Sequence, residues 1–443
     1  MGISPEQLIL WSAQACGILP VTSVCNVACI FCSNHQNPAD VEIVRIPHRT
    51  LAQIAETLTY LIPQGKIIIG ESASRINEGE PFCHPEIREI LTMVRNRFPD
   101  VLIQVTTNGS RIDDSMVRFI QTIMPVEIYL SLNSADPEWR SRLMADPDPM
   151  QSIQAPVKLS QATIPYHGSL VAMPHITGYD DIRKTIAMLD RHQAKTIRVF
   201  YPGFTKASGR PPFSHTTLMT WLDGIANDFS VPILPEPPFI QDLVPRIEGV
   251  LPDSPAARCG LRRGDVILQV AGIDGWSRVD VFRRIRDLAD PDLVISRNQM
   301  KVTLRMEKKQ GALSGLVMHY DLDPERILDA LHVIHRHRAQ QVLIISSTLA
   351  WRMVCAGFQK ESPADLKWRV QPAENRFFGG TIKAAGLLLV NDYLQVIAQT
   401  ISAGECPDLI LIPEESFDPW GRDLIGCSYG AIRESFGINV ELV

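Results

Sequence analysis

The chain has 443 residues, of which 45% are hydrophobic and 21% charged, and its formal net charge is −6. That length exceeds one ordinary core and predicts two to three domains at about 150 residues each, in the composition of a globular protein. The acidic balance argues against a nucleic-acid binder, and no run of about 18 apolar residues predicts a membrane-spanning helix. Neither nucleic acid nor membrane is therefore expected as a partner. The N-terminus lacks the basic-then-apolar pattern of a secretory signal. Nine cysteines, an odd number, suit free thiols better than a disulfide framework, and the expected compartment is the cytoplasm.

In chain order, apolar Ile18–Val21 reads as a strand, and Cys25, Cys29 and Cys32 follow in a C-x3-C-x2-C loop. Thiolates are soft ligands for iron–sulfur clusters, zinc or Cu(I). One close-set loop reaches three corners of a four-iron cubane and leaves the last iron open to a small molecule. The competing readings are a zinc site, with His35 as the nearby fourth ligand, and three unrelated thiols. Zinc sites usually pair two knuckles, and no second knuckle follows here, so the open cluster is favoured.

Strand-like runs at Lys66–Gly70, Val101–Thr106, Val126–Leu130, Ser169–Met173 and Thr196–Phe200 alternate with helical stretches at Arg49–Leu61, Pro85–Arg97, Asp113–Ile123 and Tyr179–Arg191. That alternation is the pattern of βα units around a parallel sheet. Turn-like segments close several strands: Gly79-Glu80-Pro81, Thr106-Thr107-Asn108-Gly109 and Ser131-Leu132-Asn133-Ser134. Taken alone, the first is a surface turn, the second a β-turn, and the third a helix start capped by Ser134 or Asp136. Cys83 reads as a ligand of a second cluster, a hydrogen donor to a substrate radical, or a buried inert thiol. His84, His167 and His175 read as structural. Lys206, in the loop Tyr201–Lys206, faces either solvent or an anionic substrate.

The C-x3-C-x2-C motif with Phe31 before its last cysteine resembles the signature of the radical S-adenosylmethionine (SAM) enzymes. The resemblance implies a [4Fe–4S] cluster on Cys25, Cys29 and Cys32, with SAM on the fourth iron. It implies reductive cleavage of SAM to a 5′-deoxyadenosyl radical that abstracts hydrogen from a substrate. It also implies an α/β fold, a partial (β/α)6 TIM-like barrel with its chemistry at the carboxyl ends of the strands. Gly79, Glu80 and Pro81 then hold the amino group of SAM, a carboxylate suiting an ammonium, although Glu71–Glu78 separate this turn from its strand. Thr107, Asn108, Ser131 and Asn133 are further candidates for SAM contact. An electron donor such as ferredoxin or flavodoxin is the expected redox partner.

Pro232, Pro235, Pro237 and Pro238 read as a linker after a first domain at 1–235. Residues 240–312 resemble a PDZ domain, through Val250-Leu251-Pro252-Asp253-Ser254-Pro255-Ala256 and Gly260-Leu261-Arg262-Arg263-Gly264-Asp265-Val266-Ile267-Leu268. PDZ domains capture peptides by strand addition, but no Gly-Leu-Gly-Phe-type carboxylate loop is apparent, and Cys259 reads as a core residue. Residues 322–443 form a third, α/β domain, predicted with a helix at Pro324–Arg338 and strands at Gln341–Ser346 and Leu409–Pro413. They resemble the DUF512-type C-terminal domain that accompanies radical SAM and PDZ modules, through Asn375–Leu388 and Asp408-Leu409-Ile410-Leu411-Ile412-Pro413; Ser346–Thr348 stand where relatives often have Thr-Gly. Gly379 and Gly380 mark a close backbone approach or a tight turn between strands. Scattered Cys355, Cys406 and Cys427 leave a second iron–sulfur cluster open. The expected function is radical SAM chemistry on a peptide, protein or protein-bound cofactor docked through the PDZ-like domain. The alternatives are a small-molecule oxidoreductase or methyltransferase, and a non-enzymatic iron–sulfur scaffold.

Overall fold

A computed structural model describes residues 4–72, 75–208 and 214–443. It divides into two units, one of Met1–Asn37, Glu42–Pro202 and Phe213–Glu236, the other of Pro38–Val41, Gly203–Pro212 and Pro237–Val443.

The first unit is built on six parallel strands: Lys66–Ile69, Leu102–Thr107, Val126–Ser131, Tyr166–Val171, Ile197–Phe200 and Ile233–Glu236. They lie side by side in chain order, each paired in parallel with the next. This is the partial TIM-like barrel. Its helices start where local chemistry starts them. Thr50 and Gln53 form a reciprocal capping box for Leu51–Tyr60, and Asp113 accepts from Met116 N–H at the head of Asp114–Thr122. Each helix lays an apolar stripe on the sheet, as Ile87, Ile90, Leu91 and Val94 do from Ile87–Arg97.

Two elements differ from the sequence-based expectation. Ile18–Val21 is not a strand but a single parallel bridge, Ile18 to Ile68. Gly17 bends the chain at φ +64, Leu19 N–H donates to the Ile68 carbonyl at 2.9 Å, and the ladder then ends as the Val21 carbonyl turns to accept from Arg49 N–H at 3.2 Å. The missing strand is supplied from the segment read as a linker: Ile233–Glu236 pairs only with Ile197–Phe200. An edge strand tolerates Pro235 because one of its sides needs no partner. The gap before Gly79 is a true long loop, with Ile76–Asn77 pairing in parallel to Val44–Arg45.

The second unit begins with the PDZ-like part. Ile273–Asp274, Val266–Val270, Asp292–Arg297 and Met300–Arg305 form an antiparallel sheet, and Gly249–Val250 pairs with Leu316–Val317. Val281 and Ile285 of helix Arg278–Asp287 pack on Ile267, Leu293 and Ile295. Behind it stands a parallel sheet in the order Lys367–Ala373, Gln341–Ser347, Leu409–Ile412, Asn439–Leu442. Gly379 and Gly380 do not make a turn between strands, since a 3-10 turn at Ala385–Leu387 and then helix Val390–Ser402 follow them. They admit residues 204–206 instead: Lys206 N–H donates to the Phe378 carbonyl at 2.7 Å and Thr381 N–H to the Phe204 carbonyl at 2.9 Å. Gly380 has φ +60, and a Cβ there would lie 2.1 Å from the Phe204 carbonyl oxygen. Lys206 is exposed to solvent, and its Nζ also donates to the Arg376 carbonyl at 2.8 Å.

Candidate active site

The cysteine loop has no regular structure of its own and is held by its neighbours. Ala28 and Ile30 N–H donate to the carbonyls of Met144 (2.8 Å) and Leu143 (2.9 Å), at the end of helix Pro137–Met144. The last carbonyls of a helix have no partner inside it, so this terminus is a ready acceptor. From the other side, Gly79 and Glu80 N–H donate to the Thr22 and Val24 carbonyls, both at 2.8 Å. A Cβ on Gly79 would lie 2.1 Å from the Val24 carbonyl oxygen; only glycine lets these two backbones meet.

Cys25 and Cys32 lie close enough to Cys29 to oppose its ionisation. Burial first, then repulsion from Cys32 and Cys25, pushes Cys29 up to about 12. Cys25 is pushed up chiefly by burial, with Glu80, Cys83 and Cys32 adding to it. Such thiols give up their protons only to a bound cation. Among the described residues no three His, Cys, Asp or Glu side chains close on a point that would hold a single metal ion.

Cys25 and Cys29 open onto a cavity of about 330 Å3 at the carboxyl ends of the strands, where Gly79, Glu80, Thr107, Asn108, Ser131 and Asn133 also line it. Cys32, Pro81 and Cys83 do not line it. Glu80 is only 2% exposed, and its carboxylate is already engaged. It accepts from Phe82 N–H (3.1 Å), the Thr107 hydroxyl (2.7 Å) and Asn108 N–H (2.7 Å). Burial nevertheless raises its affinity for a proton. Glu80 thus braces the Gly79 turn against the end of strand Leu102–Thr107. Pro81 packs over Gly70, where a Cβ would come within 2.6 Å of the proline ring.

Ser131 ends its strand, its hydroxyl 3.2 Å from that of Ser169. The strand does not run on to Asn133, which turns to φ +60 and accepts from Val171 N–H at 2.9 Å. The helix cap is Asp136, which accepts from Glu138 and Trp139 N–H, whereas Ser134 donates to Asp181 at 2.7 Å. The half-buried Cys83 donates to Asn26 Oδ1 at 3.3 Å. His84 Nε2 meets the Arg49 carbonyl at 2.8 Å, and His167 Nδ1 the Thr196 hydroxyl at 2.7 Å.

Two residues were not singled out by sequence. Asn26 ties three segments together, accepting from Asn108 Nδ2 at 3.0 Å and from Cys83 and donating to Ser110 at 2.9 Å. Arg140 is wholly buried; its Nε donates to Asp146 and its Nη2 to the Asn108 carbonyl, both at 2.6 Å, and its Nη1 donates to the Leu132 carbonyl. Its charge opposes the upward shifts of both Cys29 and Glu80. An arginine one turn after an Asp–Pro cap looks like surface in sequence; only its depth here marks it.

Residues 19–189 match the model of the Radical SAM superfamily, and residues 246–294 that of the PDZ domain. The FeMo cofactor biosynthesis protein NifB of Chlorobaculum tepidum is 28% identical over 130 residues, 27% of this chain and 28% of the relative. The GTP 3',8-cyclase of Microcystis aeruginosa is 29% identical over 122 residues, 28% of this chain and 35% of the relative. The chain thus spans only 28% and 35% of these curated relatives. Among solved structures, Streptococcus suis SuiB bound to S-adenosylmethionine is 14% identical, with 49% of each chain covered and a TM-score of 0.39. A radical SAM methyltransferase from Sphaerobacter thermophilus is 16% identical, with 49% of this chain and 65% of that one covered and a TM-score of 0.36. No helix among the described residues is long and apolar enough to cross a membrane. The chain carries a radical SAM domain followed by a PDZ domain.

Proposed function

We propose that the chain is a cytoplasmic radical SAM enzyme whose substrate is a peptide, a protein or a protein-bound cofactor. The observation that carries the reading is the single cavity onto which two of the three coupled thiols and the Gly79–Glu80 turn open. A [4Fe–4S] cluster carrying SAM supplies reductive cleavage of SAM and a 5′-deoxyadenosyl radical for hydrogen abstraction.

Cys25, Cys29 and Cys32 would hold the cluster. The Gly79-Glu80-Pro81 turn would meet the methionine end of SAM mainly through its backbone, since three donors already occupy the Glu80 carboxylate. Thr107, Asn108, Ser131 and Asn133 would orient the remaining polar groups, and Val171 and Phe200 would help keep water from the reacting carbon. Cys83 supports Asn26 and lies off the cavity, which favours a structural role over hydrogen donation. A ferredoxin or flavodoxin would deliver the electron.

The PDZ-like domain would dock the partner. Among the described residues Leu316–Val317 pairs with Gly249–Val250 but is buried, and the exposed edge for strand addition is Met300–Arg305, which pairs with Asp292–Arg297.

The test is anaerobic reconstitution with iron and sulfide, then an assay for 5′-deoxyadenosine from SAM and dithionite, beside Cys29→Ala. Deoxyadenosine that vanishes in the variant supports the reading. Intact SAM beside a fully loaded cluster, with the partner peptide present, refutes it.

A further inference from the structure

The C-terminal sheet runs, in space, second strand, first, third, fourth, all parallel. From Gln341–Ser347 the chain moves to one flank, then crosses back to place Leu409–Ile412 on the other. Helices Pro324–His337 and Trp351–Glu361 cover the face bearing Val342, Ile344, Leu409 and Leu411. Helices Val390–Ser402 and Gly430–Phe436 cover the face bearing Leu343, Ile345, Ile410 and Ile412. Loops leaving the first and third strands therefore diverge, and a crevice opens at their carboxyl ends. In open parallel sheets that switch point is where ligands bind.

A cavity of about 230 Å3 occupies this position. Ile344, Ser346 and Pro413 line it from the strand ends, and Ile327, Val354 and Phe358 from the two helices. Ser346 is 5% exposed, and among the described residues its hydroxyl has no hydrogen-bond partner in the chain. Its neighbour Ser347 is spoken for, accepting from Ala350 N–H at 3.2 Å. Its oxygen is not sealed off from the cavity, so a ligand's polar group would take the place of water there, for a net gain of about 1 kcal/mol.

The cations around the cavity are already matched by carboxylates. Arg326 pairs with Glu414 at 3.2 Å and Glu415 at 2.7 Å. Asp321 is held by Arg278 at 3.2 Å, and Asp323 by Arg283. Arg326 alone faces two carboxylates, so the charge left over is acidic and recruits no anion. For size, a dry cavity of about 150 Å3 lined by Leu, Ile and Phe holds a benzene ring. This one has room for such a ring and a small substituent.

We propose that the C-terminal domain binds an uncharged, ring-sized hydrophobic molecule bearing one hydroxyl or carbonyl group, which reaches Ser346 in the crevice between the first and third strands. The site is independent of the radical SAM reading.

The test is a calorimetric titration of the full chain with p-cresol, toluene and 4-methylbenzoate. Saturable p-cresol binding is expected, with toluene about fivefold weaker for want of one hydrogen bond. Ser346→Ala should bring p-cresol down to the toluene value and leave toluene unchanged. Ala330→Leu, which pushes a larger side chain into the cavity, should abolish both; Val354→Phe makes the same test should that variant not fold. The proposal is overturned if p-cresol shows no saturable binding up to its solubility. It is equally overturned if binding survives both filling variants, or if 4-methylbenzoate binds as tightly as p-cresol.

Discussion

Gly79→Ala is the sharpest perturbation of the candidate active site. The added methyl would stand 2.1 Å from the Val24 carbonyl oxygen and 2.5 Å from the Ser23 carbonyl carbon. Both are backbone atoms, so no side chain can swing aside, and the strands of chain must part by about 1 Å. Two hydrogen bonds span that gap, Gly79 N–H to Thr22 and Glu80 N–H to Val24, each 2.8 Å. Losing them costs about 1 kcal/mol apiece, and the overpacking adds about 1–3 kcal/mol. The expected loss is about 3–5 kcal/mol in urea unfolding, with lower iron and sulfide content after anaerobic reconstitution, because Cys25 is the residue after Val24. Gly224→Ala is the control: it lies inside helix His215–Ile225 with open space around its missing Cβ, and should be neutral or stabilising. Wild-type stability and full cluster loading in Gly79→Ala would refute the argument that this close approach positions the cysteine loop.

Three further outcomes are expected. Burial pushes Glu78 up to about 8. A carboxyl raised in the folded state favours folding fully below its unfolded value, and that contribution is lost as pH rises through about 8. Stability should therefore decline from pH 5 to 9, and Glu78→Gln should flatten the curve, gaining on the order of 4 kcal/mol at the alkaline end; parallel curves would reject this. Arg140→Met strands the buried Asp146 carboxylate and should cost about 3–5 kcal/mol in denaturant unfolding. In a reconstituted sample it should also lower the cluster's midpoint potential, since a cation beside Cys29 is gone. Trp276 Nε1 donates to Glu361 at 2.5 Å, and Lys360 Nζ lies 5.0 Å from the ring centroid. Trp276→Phe should lose about 1–2 kcal/mol and loosen the PDZ-like part from helix Trp351–Glu361, read as earlier proteolysis of the 276–290 segment.

The parallel sheet was legible because its strands are short apolar runs separated by amphipathic helices, a contrast that survives local noise. What misled was local composition. Ile18–Val21 is apolar enough to be a strand, yet after one bridge its Val21 carbonyl turns to Arg49 N–H; Pro235 looks like a linker residue, yet occupies an edge where its missing N–H has no consequence. Hydropathy cannot separate these cases, because the difference lies in which side of the chain faces a neighbour. The three cysteines were legible from spacing. Arg140 was not, since nothing local tells an arginine buried beside Asp146 from one on a helix surface.

Glu80 shows how a motif can be read correctly as a location and incompletely as chemistry. A carboxylate near three thiols suggests an acceptor for an ammonium group. The structure surrounds it with Phe82 N–H, Thr107 and Asn108 N–H, and a carboxylate has about four lone-pair sites. Most of its capacity thus holds two strand ends together, and what stays exposed to a ligand is the backbone that Gly79 allows to come close. The same logic runs through Asn26 and Arg140, each spending its polar groups on loop segments rather than on the cavity. A site assembled from loops at the ends of separate strands lies outside any helix or ladder, so buried side chains join the helix end at Leu143 and Met144 and the Gly79 turn in holding it. Polar residues one layer behind the cavity are accordingly where substitutions should shift cluster geometry without touching a ligand.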